Sequence, residues 1–153
     1  MKKNSIFKPL SNIDILQYGK NKNIKIFCVA KDQLRKKKKL KNNESIVINL
    51  DDMENEGTHW VCLICKNNKL FYYDPFGVIY LSNDIANYIK KHKTDFYSTT
   101  EQNQSITSNK CGWFCLAIIN CVLGKPNMSF QRYMDLLTNV PNEYNEYIIF
   151  SLI

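Results

Sequence analysis

The chain has 153 residues, 44% hydrophobic and 12% aromatic, which is enough apolar material for one domain, residues 1–153, to bury a core without metal or disulfide support. That content excludes a wholly disordered chain. The formal charge is +7, almost all of it lysine, since only Arg35 and Arg132 are arginine; such a balance suits either a polyanion partner or a solvated surface. The longest apolar stretch, Trp113 to Leu123, is interrupted by Asn120 and is too short to span a bilayer. No apolar segment follows Met1-Lys2-Lys3, so neither a secretory signal nor a membrane partner is expected. The six cysteines, Cys28, Cys62, Cys65, Cys111, Cys115 and Cys121, then read as free thiols in a reducing setting.

Ser11 is a candidate cap for a short helix with Ile13, Leu16 and Tyr18 on its apolar face. Ile24 to Val29 reads as a strand. The dense run Arg35-Lys36-Lys37-Lys38-Lys39 predicts an exposed, self-repelling loop. Ser45 to Leu50 reads as a strand, followed by an acidic loop from Asp51 to Gly57. His59 to Cys65 and Lys69 to Tyr73 read as two strands of a tight hairpin turning at Asn67-Asn68. Asp74-Pro75-Phe76-Gly77 ends the hairpin as a turn. Ser82 to His92 is a capped helix with Ile85 and Ile89 at helical spacing, and Asp95 to Ser98 an edge strand. Thr99 to Lys110 is polar and aperiodic, hence a loop. Cys111 to Leu123 is apolar on nearly every side, as expected of an interior helix, and Gly124 and Pro126 end it. Ser129 to Leu137 and Tyr144 to Ile153 complete the helices. Strands and helices are mixed without strict alternation, so the fold class is α+β.

Histidine is scarce, which narrows the chemistry. His92, among lysines at a helix end, reads as an exposed cation suited to the helix dipole. His59 opens an apolar strand. A two-residue hairpin turn pairs Lys66 with Lys69 and, counting outward, Val61 with Asp74. His59 and Asp74 then share a face as diagonal neighbours ~7–8 Å apart, within side-chain reach. Cys62 and Cys65, three apart on a strand, point to opposite faces and cannot share a zinc. Cys111 is the candidate nucleophile. It opens the interior helix, where unpaired N–H groups and the helix dipole favour thiolate, and Gly112 beside it leaves room for a substrate backbone. The Cys111 N–H is one oxyanion donor. A second donor comes from the loop before it, where Gln102, Asn103 and Gln104 offer similar chemistry.

Gly57-Thr58-His59-Trp60, Asp74-Pro75-Phe76-Gly77, and Gln104 seven residues before Cys111-Gly112-Trp113-Phe114-Cys115 occur in the order His, acid, Gln, Cys. In these pieces the chain resembles the adenovirus-type (adenain-like) maturation proteases and their virophage and Polinton-like relatives, a group akin to the proteases that deconjugate ubiquitin-like modifiers. The resemblance runs from about Gly57 to Leu123. It departs from the adenovirus pattern in placing Asp74 where those enzymes have glutamate. It implies a central mixed sheet packed against a buried helix carrying the nucleophilic cysteine, with flanking helices.

The resemblance assigns Cys111 as nucleophile, His59 as general base, Asp74 as its orienter and Gln104, rather than Gln102, as oxyanion donor. It sets Trp60 and Gly112 along the substrate groove, though for Trp60 core packing is an equal expectation. It implies a monomeric thiol protease acting in virus maturation, intracellular in the host cytoplasm or nucleus or inside the virion, on viral structural precursor proteins cleaved beside glycine. No cofactor or metal is required. DNA, with Arg35, Lys36, Lys37, Lys38 and Lys39 as its candidate site, and a peptide are the activators it raises. The rivals are a modifier-deconjugating protease, an acyltransferase on the same triad, and a non-enzymatic basic DNA-binding protein.

Overall fold

The computed structural model describes residues 8–51, 59–78, 80–106 and 108–153. The acidic loop after Asp51, and with it Gly57 and Thr58, lies outside the described residues.

The chain forms α1 (Asn12–Lys22), β1 (Lys25–Ala30), a 3-10 helix (Lys31–Lys36), β2 (Glu44–Asn49), β3 (Trp60–Lys66) and β4 (Lys69–Tyr73). These are followed by α2 (Asn83–His92), β5 (Asp95–Ser98), α3 (Cys111–Leu123), α4 (Phe130–Thr138) and α5 (Asn142–Ser151). The five strands make one mixed sheet in the order β1-β2-β3-β4-β5. The outer pairs β1–β2 and β4–β5 are parallel, and the inner pairs are antiparallel. The fold is α+β, as expected.

Strand alternation sends side chains into two cores. Val47, Trp60, Cys62, Ile64 and Tyr73 face α3 and its neighbouring helices. Ile46, Ile48, Val61, Leu63, Cys65, Leu70 and Tyr72 face α2 and the 3-10 helix. Cys62 and Cys65 therefore lie in opposite cores. Helix α3 packs between β3 on one side and α1, α4 and α5 on the others, which is why its sequence is apolar all round.

The hairpin has the expected register, with Lys66 opposite Lys69 and Cys62 opposite Tyr73. Asn67 and Asn68 both adopt positive φ, 53° and 59°, the two-residue turn whose twist matches that of the strands. One step beyond the last pair, Val61 falls opposite Asp74.

Three expectations need correction. In α1 the buried residue is Ile15, while Ile13 is 73% and Leu16 38% exposed. The helix seats itself through Ile15 and Gly19, whose missing side chain admits Ile26 of β1 at close range. The basic run is not a free loop. Arg35 and Lys36 end the 3-10 helix, and the run is a short bridge between the buried Leu34 and Leu40. Its Lys37 and Lys38 carbonyls accept hydrogen bonds from Lys91 Nζ (2.9 Å) and Tyr88 Oη (2.7 Å). His92 is buried, not exposed. Its Nε2 accepts from the Leu40 N–H at 2.9 Å, and its Nδ1 lies 2.9 Å from the Tyr88 carbonyl. Both ring nitrogens are thus used in joining α2 to the chain before β2.

Candidate active site

The site forms where β3 begins and β4 ends. His59 directly precedes β3, and Asp74 directly follows β4. His59 Nε2 lies 2.8 Å from Asp74 Oδ1, an ion pair with the carboxylate almost wholly buried. Because Nε2 faces a carboxylate it carries the proton, and Nδ1 is left as the lone-pair nitrogen of the neutral ring. Nδ1 is buried without a hydrogen-bond partner among the described residues. The Cys111 thiol is close enough to act on the titration of this ring. Burial, the largest influence, pushes the imidazolium down. The hydrogen bond of Asp74, together with the charges of Asp74 and of the nearby Cys111, outweighs it and raises His59 to about 9.

The Asp74 carboxylate is itself fixed. Its Oδ1 also accepts the Phe76 N–H at 2.8 Å, and its backbone N–H donates to Thr99 Oγ1 at 3.3 Å. The Phe76 ring stacks on the imidazole, with centroids 4.6 Å apart. Sequence reasoning assigned no role to Phe76 or Thr99. The turn signal at Asp74-Pro75-Phe76-Gly77 was visible in the sequence, but not the stacking it produces.

Cys111 is the first residue of α3 and only 5% exposed. The first hydrogen bond of the helix runs from the Phe114 N–H to the Lys110 carbonyl at 3.1 Å. The N–H of Cys111 therefore lies ahead of the ladder, at the positive end of the helix. Strand β3 outruns the paired part of β4, and α3 serves the exposed end. The Trp60 N–H donates to Cys111 Sγ at 3.4 Å, and Cys115 Sγ donates to the Trp60 carbonyl at 3.6 Å. Burial raises the Cys115 thiol well above its ordinary range. Burial also raises Cys28 to about 12 and Cys121 to about 11.

Gln104 is fully buried, not a solvated loop residue. Its backbone N–H and that of Asn103 both donate to the Pro75 carbonyl, at 2.9 and 2.8 Å. The loop carrying Gln104 is thereby fastened to the turn carrying Asp74. Gly77 allows this approach. It sits at φ +68°, and a side chain there would stand 2.5 Å from the Glu101 backbone. Gln104 Nε2 donates to the Ser108 carbonyl at 3.0 Å, which leaves a second amide hydrogen uncommitted to that bond.

Trp60 and Gly112 are both buried. The Trp60 Nε1–H donates to the Leu10 carbonyl at 3.2 Å, and the Trp113 Nε1–H to the Lys8 carbonyl at 2.7 Å. Leu10 and the Trp60 ring edge fill the space beside Gly112, each 3.2–3.3 Å from where a side chain would project. In this structure the chain's own N-terminal segment occupies that space, and Trp60 belongs to the core. The basic residues Arg35 to Lys39 lie elsewhere, around an open pocket with Lys41, Lys91 and Lys93.

These features define a buried carboxylate–imidazole pair beside a thiol, set on an α+β scaffold of the kind seen in a known protease. That protease is the ASFV pS273R protease, whose crystal structure superposes with a TM-score of 0.59 at 17% sequence identity, over 94% of this chain and 67% of that one. The shared property is the fold. No family model matches the chain, and no curated protein matches it in sequence. Among the described residues, no helix is long and apolar enough to cross a membrane.

Proposed function

We propose that this chain is a cysteine endopeptidase of viral or virus-derived origin, acting as a monomeric single domain on structural precursor proteins beside glycine. The observation that carries the reading is the His59–Asp74 ion pair at 2.8 Å with the Cys111 thiol next to the ring. The fold likeness to the pS273R protease supports it, as does the motif resemblance to adenovirus-type proteases. Placement in the virophage and Polinton-like branch rests on those motifs.

In this reading His59 Nδ1 holds the proton given up by the Cys111 thiol, and the Cys111 thiolate attacks the peptide carbonyl carbon. The carbonyl oxygen becomes an oxyanion, held by the Cys111 N–H and by the second amide hydrogen of Gln104. Collapse of the tetrahedral species expels the amine, which takes the proton from the imidazolium. Water, deprotonated by His59, then attacks the thioester, and the thiolate leaves. Asp74 keeps Nε2 protonated and stabilises the imidazolium throughout. The clustering of Arg35, Lys36, Lys37, Lys38 and Lys39 with Lys91 and Lys93 supports DNA as an activator. No residue is assigned to a peptide activator.

Alkylation mapped cysteine by cysteine against pH tests the reading. At neutral pH iodoacetamide should modify Cys111 first, with Cys28 and Cys121 lagging because they ionise only near 12 and 11. Cys111→Ala should abolish cleavage of a glycine-containing peptide while leaving the fold intact. A Cys111 no more reactive than the other thiols, or full cleavage by the alanine variant, would overturn it.

A further inference from the structure

The loop between Glu101 and Lys110 is held by the two C-terminal helices. Thr138 Oγ1 of α4 lies 2.7 Å from both Glu101 Oε2 and the Met134 carbonyl, so its single hydrogen is shared between the loop and the helix. On α5, Asn145 Nδ2 donates to the Asn103 carbonyl at 2.9 Å, and the adjacent Glu146 Oε1 accepts from Ser108 Oγ. Ser108 is the junction. Its carbonyl receives Gln104 Nε2, and its hydroxyl oxygen receives the Lys110 N–H at 3.2 Å. Lys110 caps α3 with its backbone only, making no side-chain cap bond, so the Ser108 hydroxyl satisfies an N–H immediately ahead of Cys111.

We propose that Glu146 is a positioning residue for acyl transfer, acting through Ser108 on both oxyanion donors. A hydroxyl has one hydrogen to give, and an ionised carboxylate can only accept. Glu146 therefore fixes the direction of the Ser108 O–H and turns its lone pairs toward Lys110. One serine, locked by one carboxylate, then sets the amide of Gln104 and the start of the helix that carries the Cys111 N–H. The hydrogen bonds that hold Gln104 leave its Oε1 without a partner among the described residues, so the amide's orientation depends on its single bond to the Ser108 carbonyl. This inference rests on the peptidase reading and extends it to a residue far from Cys111 in sequence.

Two reagents separate the donors from the nucleophile. Acylation of Cys111 by p-nitrophenyl acetate passes through an oxyanion, whereas alkylation by iodoacetamide is a direct displacement that does not. In Glu146→Ala and Ser108→Ala, acylation should slow about ten-fold, less than the ~10²–10³ expected on deleting an oxyanion donor outright. Alkylation of Cys111 should keep its rate. Glu146→Gln, which retains an acceptor for the Ser108 hydroxyl, should recover most of the acylation. Acylation and alkylation falling together, or neither falling, would overturn the assignment. An unsubstituted chain whose Cys111 reacts with neither reagent ahead of the other cysteines would instead defeat the peptidase reading itself.

Discussion

A single carboxylate oxygen does much of the organising at this site. Asp74 Oδ1 receives both the imidazole of His59 and the Phe76 N–H, and the Phe76 bond places its ring flat against the imidazole. The ring is therefore held by an edge contact and a face contact, and Nδ1 has little freedom to turn from the thiol. The charge consequence is measurable. His59 is raised from 6.5 to about 9, so the imidazolium that protonates the leaving amine persists through neutral pH and is lost as pH climbs through about 9. The alkaline limb of kcat/KM should therefore fall near pH 9. In Asp74→Asn it should move toward 6.5, because the charge and hydrogen bond that raise His59 are weakened. A limb that stays put in that variant would mean that another group controls it.

Among the elements, the hairpin and the turn after it bring the acid and the glutamine loop together. Pro75 offers one carbonyl to two successive N–H groups, of Asn103 and Gln104, and Gly77 lets the loop come within contact distance. Gly77→Ala should cost about 2–4 kcal/mol, combining the strain of positive φ with a backbone collision. A lower melting temperature together with slower peptide cleavage would register it, and an unchanged melting temperature would mean that the turn relaxes freely. The hairpin was legible in advance because Asn67-Asn68 admits a two-residue turn, and that parity alone put His59 and Asp74 on one face. The clamp on Gln104 was not legible. It joins main-chain atoms from segments about thirty residues apart, and neither polarity nor periodicity encodes such a contact. The same limit explains Gln104 itself, which its polar neighbours disguise as a solvated residue.

Across the whole molecule, the two faces of the sheet carry different tasks. One face holds α3 and the nucleophile, and the other holds α2 and the basic bridge. His92 belongs to the second face. A lysine-rich neighbourhood made it look exposed, yet the lysines reach outward while the ring turns inward to the Leu40 N–H. Burial, aided by Lys39 and Lys91, lowers the titration of His92 below its ordinary 6.5 despite the opposing Tyr88 carbonyl. The unfolded chain thus takes up this proton first, and the stability tied to the neutral ring is present above about 6.5 and lost as pH falls below it. The melting temperature should drop between about pH 7 and pH 5.5, and His92→Gln, whose amide oxygen can still accept from Leu40, should flatten that slope. An equal slope in the variant would assign the loss to carboxylates instead. Sequence spacing was sufficient to send Cys62 and Cys65 to opposite faces of β3, but it could not say which polar side chains the helices would trap between them.

The contact of Leu10 with Gly112 bears on how a reagent could reach the sulfur. With Lys8 and Leu10 each tethered by an indole, that flank of the thiol is latched by the polypeptide itself. Prising it open would forfeit two hydrogen bonds, together ~1–3 kcal/mol, besides the seating of the leucine. An incoming electrophile therefore has to reach the sulfur from a side other than this flank.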